Sequence, residues 1–339
     1  MNIYMFPIAN LNKSASKNPY IDNLIDTLEN NNCFIINKEK INKFGVFDLL
    51  LYIHKTDIYY LNWIENLPDR RFGWIQAILF YFIFLILKIL RKKVVWMMHN
   101  KISHSKKGLF FKIVTNYLLI NYSDIVLTHS KDGIRFGNIF LKNSKKIEFR
   151  HHPIEKKVEK INFNEEKEID ILIWGSISPY KGIDRFLEYL KKSSVSSKYT
   201  IHIAGKVSNA ELAKKLNQYA NEKIIIEDNF ISREKLEELF LKSKIVLFTY
   251  AGYSTLSSGA LMDTLSYGKI IMGPHVGAFR DLKEEGLIDT FIDFDDLIYK
   301  LTNGLEEGNN RNENLISFIE NNSWHKFSEF LCKILYEKG

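Results

Sequence analysis

The feature that most restricts the fold of this chain is a succession of short apolar runs, each followed by a small-residue loop and a helical pattern. Runs such as IDILIWGS (169–176), IVLFTY (245–250) and KIIMG (269–273) carry almost no polar alternation. Strands apolar on both sides must be covered on both sides, which is the condition of a parallel sheet between helices. The intervening segments place apolar residues at three- and four-residue spacing, as at Ile21, Leu24, Ile25 and Leu28 after Pro19.

Two such series follow one another. The first takes its strands from 3–8, 33–36, 57–63, 94–99 and 124–128, with a further apolar run at 46–53. The second takes them from 169–176, 200–204, 224–226, 245–250, 269–273 and 290–294. Between them Lys156–Lys167 is charged, glycine-free and without period, as a linker would be. A length of 339 residues also fits two domains of ordinary size. The expected organisation is a first Rossmann-like domain over 1–154, a linker over 155–168 and a second such domain over 169–322. A terminal helix over 323–339 carries Phe327, Phe330, Leu331 and Leu335, a stripe suited to packing back on the first domain.

Charge divides the same way. Residues 1–150 hold 22 Lys and Arg against 11 Asp and Glu, a balance of +11, while the remainder holds 25 against 29, a balance of −4. A basic half can face nucleic acid, an anionic membrane or an acidic substrate. No nucleic-acid-binding module is recognisable in it. Trp74–Leu90 is the most apolar segment and is bracketed by Arg70, Arg71, Arg91, Lys92 and Lys93. As a helix it would be about 26 Å long, short of the roughly 30 Å hydrocarbon core. It reads as a covering helix with one face at a membrane interface rather than as a span. The two cysteines, Cys33 and Cys332, draw no metal spacing or disulfide framework and suit a reducing compartment. The N-terminus enters a strand at once and lacks the basic start of a signal peptide.

The stretch Thr249–Leu282 concentrates candidate chemistry. A strand ends at Tyr250, a loop of glycine and hydroxyl residues runs to Gly259, and a helix follows from Ala260 to a stop at Gly268. The N–H groups at such a helix start have no intrahelical partner and favour an anion. A second strand then leads to His275 and Gly277. In the first half, VVWMMHNKISH ends a strand at His99 and Asn100 with His104 beyond, and His129–Ser130 ends the next. Imidazoles there suit a base or a hydroxyl clamp. Asp293-Phe-Asp295 spells an acid pair used elsewhere for metals, but at a strand-to-helix boundary it reads as capping, and no metal is expected.

ILIWGSISPYKGIDRFLEYL together with LSSGALMDTLSYGKIIMGPHVGAFRDL resembles the donor half of GT-B glycosyltransferases, most of all the family-4-type enzymes of bacterial surface polysaccharide synthesis. The likeness is good over about 169–282 and looser before it. It implies two Rossmann-like domains facing each other across a cleft and a nucleotide-sugar donor without cofactor or metal. Gly175 and Lys181–Gly182 match the family's glycine turn and its diphosphate-contacting lysine. Thr255 and Asp263 stand where the family has two acids, with Gly259 between them and Gly268 ending the helix. Ser176 stands where the family usually has an arginine. The resemblance makes Gly175, Ser176, Lys181, Thr255, Ser257, Ser258 and Gly259 donor residues. It puts His99 and Asp263 in catalytic roles and Asn100, His104, His129 and His275 at the cleft. The implied acceptor is a lipid-linked saccharide at the cytoplasmic face of an anionic membrane. A catalytically silent partner subunit and a nucleotide-sugar epimerase of the same fold are the competing readings.

Overall fold

The computed structural model describes residues 1–8, 19–38, 44–102, 107–141, 147–157, 167–193, 198–251, 255–303 and 311–337. The chain forms two compact units. The first comprises Met1–Pro153, Ser254–Ser257 and Asn322–Gly339, and the second Ile154–Tyr253 and Ser258–Asn321.

The first unit is built on β1 (Asn2–Phe6), β2 (Phe34–Ile35), β3 (Ile58–Asn62), β4 (Lys93–Met98), β5 (Ile125–Thr128) and β6 (Glu148–Phe149). They form one sheet in the order β2-β1-β3-β4-β5-β6, and every pairing is parallel. Because side chains alternate along a strand, the four central strands β1, β3, β4 and β5 feed two cores. Ile3, Met5, Tyr60, Val95, Met97 and Leu127 lie in one core with residues of α1 (Pro19–Glu29) and α13 (Trp324–Glu337). Tyr4, Tyr59, Leu61, Trp96, Met98 and Val126 lie in the other, covered by α3 (Gly73–Ile89) and α4 (Leu109–Tyr122). That double use is why the runs read as apolar throughout. The apolar run at 46–53 is helical: a 3-10 turn at Gly45–Phe47 passes into α2 (Asp48–Leu51), with the Asp48 carboxylate accepting from the Phe44 N–H at 3.3 Å. Helix α5 (Lys131–Phe140) starts at Ser130, whose hydroxyl accepts from Asp132 N. Cys33 and Cys332 are both free thiols belonging to the α1–α13 side of the sheet.

Helix α3 is apolar on two opposite faces. Ala77, Phe80, Phe84 and Leu87 are buried in the core, whereas Phe82, Leu85 and Ile89 are 64%, 58% and 69% exposed. No helix among the described residues is long and apolar enough to cross a membrane.

The second unit contains β7 (Ile169–Trp174), β8 (Ile201–Ala204), β9 (Ile224–Glu227), β10 (Ser243–Leu247), β11 (Ile270–Pro274) and β12 (Asp289–Phe291), in the parallel order β12-β11-β10-β7-β8-β9. One face is covered by α8 (Arg233–Lys242), α9 (Gly259–Ser266), α10 (Gly277–Glu284) and α12 (Arg311–Asn321). The other is covered by α6 (Ile183–Lys192), α7 (Ala210–Asn217) and α11 (Phe294–Asn303). The Ser232 hydroxyl accepts from Lys235 N at 3.2 Å and caps α8. The strand order reverses between β7 and β10. In doubly wound sheets the crevice beyond the strand ends at such a reversal is where ligands bind.

Candidate active site

At the β7–β10 reversal the second unit assembles a cationic pocket floor from residues far apart in sequence. Gly175, directly after β7, has φ +97°, and a Cβ added there would lie 3.2 Å from Lys181 Nζ and 3.8 Å from the Ala260 Cβ. The ammonium therefore rests over a bare Cα beside the first turn of α9. Lys181 is delivered by a 3-10 turn, Pro179–Lys181, which Gly182 closes with φ +66°. That turn is fastened to the end of β10: Ala251 N donates to Tyr180 O and Thr249 Oγ1 to Lys181 O, both at 2.7 Å. Gly205, after β8, approaches so closely that a Cβ would fall 1.9 Å from the Gly175 carbonyl oxygen.

Lys181 is 5% exposed, and burial lowers the pKa of its ammonium. The face of the Tyr250 ring lies 5.3 Å from Nζ, and Tyr180 adds a favourable electrostatic contribution. No carboxylate pairs with it among the described residues. A buried ammonium without a counter-charge is costly, and an anion bound here removes that cost. Helix α9 adds its own donors. Ser258 accepts from Leu261 N at 3.3 Å and is hydrogen-bonded to the Tyr250 hydroxyl at 2.8 Å, so the cap is rigid. Open space lies where a Gly259 side chain would stand. The first N–H groups of a helix lack intrahelical partners and favour an anion, so the start of α9 beside Lys181 suits one. Gly175, Lys181, Ser258 and Gly259 belong to one local structure, with exposed Ser176 at its rim.

Thr255 and Ser257 belong elsewhere. Thr255 forms an isolated antiparallel bridge with Asn100, and Leu256 is fully buried in the α3–α4 core of the first unit. The Ser257 Oγ is buried without a hydrogen-bond partner. The buried apolar side chain between them ties this part of the loop to the first unit. Asp263 is the fifth residue of α9, beyond its first turn, and its carboxylate is the 2.7 Å partner of Lys157 Nζ, which also lies over the Tyr267 ring. Its evident role is as counter-ion to that lysine. His275 is exposed after β11, with Nδ1 2.9 Å from Thr290 Oγ1. Asp293 Oδ1 accepts from Asp296 N at 2.8 Å and caps α11, while Asp295 accepts from the Tyr189 hydroxyl. No group of three or more His, Cys, Asp or Glu among the described residues is arranged to hold a metal ion.

In the first unit the strand ends gather imidazoles and aromatics. His99 follows β4, is 7% exposed, and has Nε2 2.9 Å from Asn62 Oδ1. Its ring stacks on Trp63 at 4.3 Å and 16°, and the edge of Tyr20 meets it at 5.0 Å. His129 is fully buried, with Nδ1 2.9 Å from Arg150 O and Nε2 3.0 Å from the Tyr20 hydroxyl. A carbonyl accepts only, so Nδ1–H donates to it and Nε2 accepts from Tyr20. Burial and the neighbouring His152 bring the His129 pKa down to about 3. With both nitrogens engaged, His129 supports Tyr20 and has no edge left for a substrate. His99 is held well below the usual histidine pKa by burial first, then by His129 and His152. It is neutral at pH 7, with one ring nitrogen able to accept a proton. His104 lies outside the described residues.

Tyr20, Asn62 and Trp63 were not singled out by sequence. The signal for two of them was available: Asn62–Trp63 closes β3, the strand beside β1 where the order of this sheet reverses.

Two doubly wound units, one with a buried lysine over a glycine turn at its reversal point, define a class of nucleotide-binding α/β protein. Comparison with known proteins is more specific. Residues 154–258 match the family described as glycosyl transferases group 1. Among solved structures, HepE of Anabaena in complex with UDP-glucose aligns with TM-score 0.72 and 11% identity, over 99% of this chain and 100% of that one. Sucrose-phosphate synthase of Thermosynechococcus elongatus aligns with TM-score 0.68 and 12% identity, over 99% and 98%. A glycosyltransferase of Rickettsia africae aligns with TM-score 0.65 and 13% identity, over 99% and 98%. None of the curated proteins matches the sequence. The fold is GT-B, and the stretch that matches the glycosyl transferases group 1 model, residues 154–258, includes Gly175, Lys181 and Ser258.

Proposed function

We propose that the chain transfers a sugar from a nucleoside-diphosphate sugar to a lipid-linked saccharide at the cytoplasmic face of a membrane, in surface polysaccharide synthesis. The observation that carries the donor side is Lys181: a buried ammonium with no carboxylate partner among the described residues, over Gly175 and beside the first N–H groups of α9. In transfer, the bond from the anomeric carbon to the diphosphate breaks and the acceptor oxygen takes its place. Negative charge grows on the leaving diphosphate, where a preoriented ammonium and helix N–H groups act most strongly. His99, neutral and with one nitrogen open, suits the acceptor hydroxyl. The cation at the diphosphate is then Lys181, and no metal is required. HepE is described in complex with UDP-glucose, which makes UDP the first nucleotide to test. Titration calorimetry with UDP, ADP and GDP tests this reading; binding of none of them by folded protein would overturn it.

The membrane part rests on α3 and α4. Phe82, Leu85 and Ile89 on α3 and Phe110 and Ile113 on α4 are exposed, and exposed apolar patches of this kind mark interaction surfaces. Arg71 and Arg91 lie exposed at the two ends of α3, which favours an anionic leaflet over an apolar protein partner. Phe82→Glu with Leu85→Glu should abolish flotation with vesicles containing anionic lipid while leaving UDP binding unchanged. Retained flotation of the double variant would refute the surface. Thr255 in place of an acid favours the second reading, a silent subunit, which would bind nucleotide yet transfer nothing in a full donor and acceptor screen.

A further inference from the structure

We infer that Asn62 is a positioning residue that fixes the tautomer of His99 and so decides which ring nitrogen faces the acceptor. The inference rests on the proposed role of His99 and adds the device that sets it.

Asn62 ends β3 and is fully buried. Its Nδ2 lies 3.4 Å from the Met5 sulfur and its Oδ1 2.9 Å from His99 Nε2. A thioether has no hydrogen to give and accepts weakly, so the NH2 belongs on the sulfur side and the oxygen on the imidazole side. Reversing the amide would set its oxygen against a sulfur that cannot donate to it. The Met5 backbone is itself fixed by the Asn37 side chain, which accepts from Met5 N at 3.0 Å and donates to Met5 O at 2.8 Å. With Oδ1 turned to the ring, His99 Nε2 carries the proton and donates it. Nδ1 then holds the lone pair, and no hydrogen bond engages Nδ1 among the described residues.

The next residue completes the grip. Successive strand side chains point to opposite faces, so Asn62 and Trp63 would not reach one ring if β3 simply continued. Trp63 instead has φ +48° and ψ +27°, in the left-handed region, a conformation costing a bulky residue about 1–2 kcal/mol. That turn lets consecutive residues hold one imidazole, Asn62 at its edge and Trp63 on its face at 4.3 Å. Backbone strain of this kind persists where its surroundings enforce it.

The test uses protein with 15N-labelled histidine, the His99 signals being identified by their loss in His99→Gln. Long-range proton–nitrogen correlation at pH 7 should show His99 neutral, protonated at Nε2, with a lone-pair nitrogen at Nδ1. Asn62→Leu should give a mixture of tautomers and lower kcat tenfold or more, with KM for the donor and affinity for UDP unchanged. Asn62→Asp should hold the imidazolium and move the acid limb of the kcat/KM profile to higher pH. That variant decides the matter even if Asn62→Leu does not fold. A His99 protonated at Nδ1 in the wild type, or an unaltered ring and pH profile in Asn62→Asp, would overturn the inference. Full activity of His99→Gln would instead remove the proposed role of His99, and the spectra would still decide whether Asn62 sets its tautomer.

Discussion

Replacing Lys181 by methionine separates what the ammonium does for the ligand from what it does for the fold. The thioether keeps the apolar stem over Gly175 and removes only the charge. In the unliganded protein that charge is buried, with the Tyr250 ring and Tyr180 for support and no carboxylate partner among the described residues, so its removal should leave stability unchanged or raise it by about 1 kcal/mol. Toward a diphosphate the sign reverses. A hydrogen bond to a charged group contributes about 1.5–3 kcal/mol, and loss of one partner of a buried charged pair costs about 2–5 kcal/mol. A loss of about 3 kcal/mol corresponds to UDP binding weakened about 150-fold. pH adds a second signature. Because burial lowers the folded-state pKa of Lys181 below 10.5, the unfolded chain holds more protons between that lowered value and 10.5. Unliganded stability contributed by this group therefore rises with pH across that window. Bound diphosphate favours the protonated amine, so UDP affinity should fall across the same window, and Lys181→Met should lose that dependence. Calorimetric titration from pH 7 to 10 with thermal melts of both proteins reads all of this. Methionine binding UDP within threefold of the wild type, or a variant markedly less stable without ligand, would refute the reasoning.

Other expectations concern the scaffold. Glu65 is fully buried with neither carboxylate oxygen hydrogen-bonded, and burial raises its pKa from 4.5 to about 7. The folded protein keeps this proton between those values while the unfolded chain has lost it, so stability is greatest below pH 4.5 and falls by on the order of 3 kcal/mol as pH rises to about 7. Glu65→Gln should flatten that slope and melt above the wild type at pH 8; an unchanged slope in urea titrations would remove Glu65 as its cause. Gly205→Ala should destabilise by about 2–4 kcal/mol, since its Cβ would fall 1.9 Å from the Gly175 carbonyl at φ +152°. It should also weaken UDP binding by displacing Gly175, and a variant as stable as the wild type in denaturant would contradict that packing.

How much of this was legible in the sequence depends on the range of the forces involved. The two parallel sheets were, because strands feeding two cores must be apolar throughout, and the helices between them carry a single stripe. Gly175 and Lys181 were singled out by the family resemblance rather than by their own spacing, and the fold sets them side by side because both lie within one strand–turn–helix unit. Long-range packing was not legible. The loop before α9 reads as a uniform small-residue phosphate loop. Yet Leu256 packs into the core of the first unit, and Thr255 beside it bridges Asn100. Asp263 carries the right charge at the right interval, but Lys157, 106 residues away in sequence, claims its carboxylate.

The imidazoles make the same point more sharply. His99 and His129 occupy equivalent positions, each just past the end of a central strand of one sheet. Their positions along the strands offer no reason to treat them differently. What separates them is which neighbours reach their nitrogens. His129 is met by a carbonyl on one edge and a hydroxyl on the other, from residues 21 and 109 positions away, and is closed. His99 is met on one edge only, by an amide whose own orientation is set through Met5. A buried, neutral imidazole with one nitrogen unpartnered among the described residues is therefore a property of the packing of β1 and β3 against β4. If the proposed chemistry at His99 is right, activity should be sensitive to substitutions at Asn62 and Trp63, and indifferent to changes at the exposed imidazole of His275.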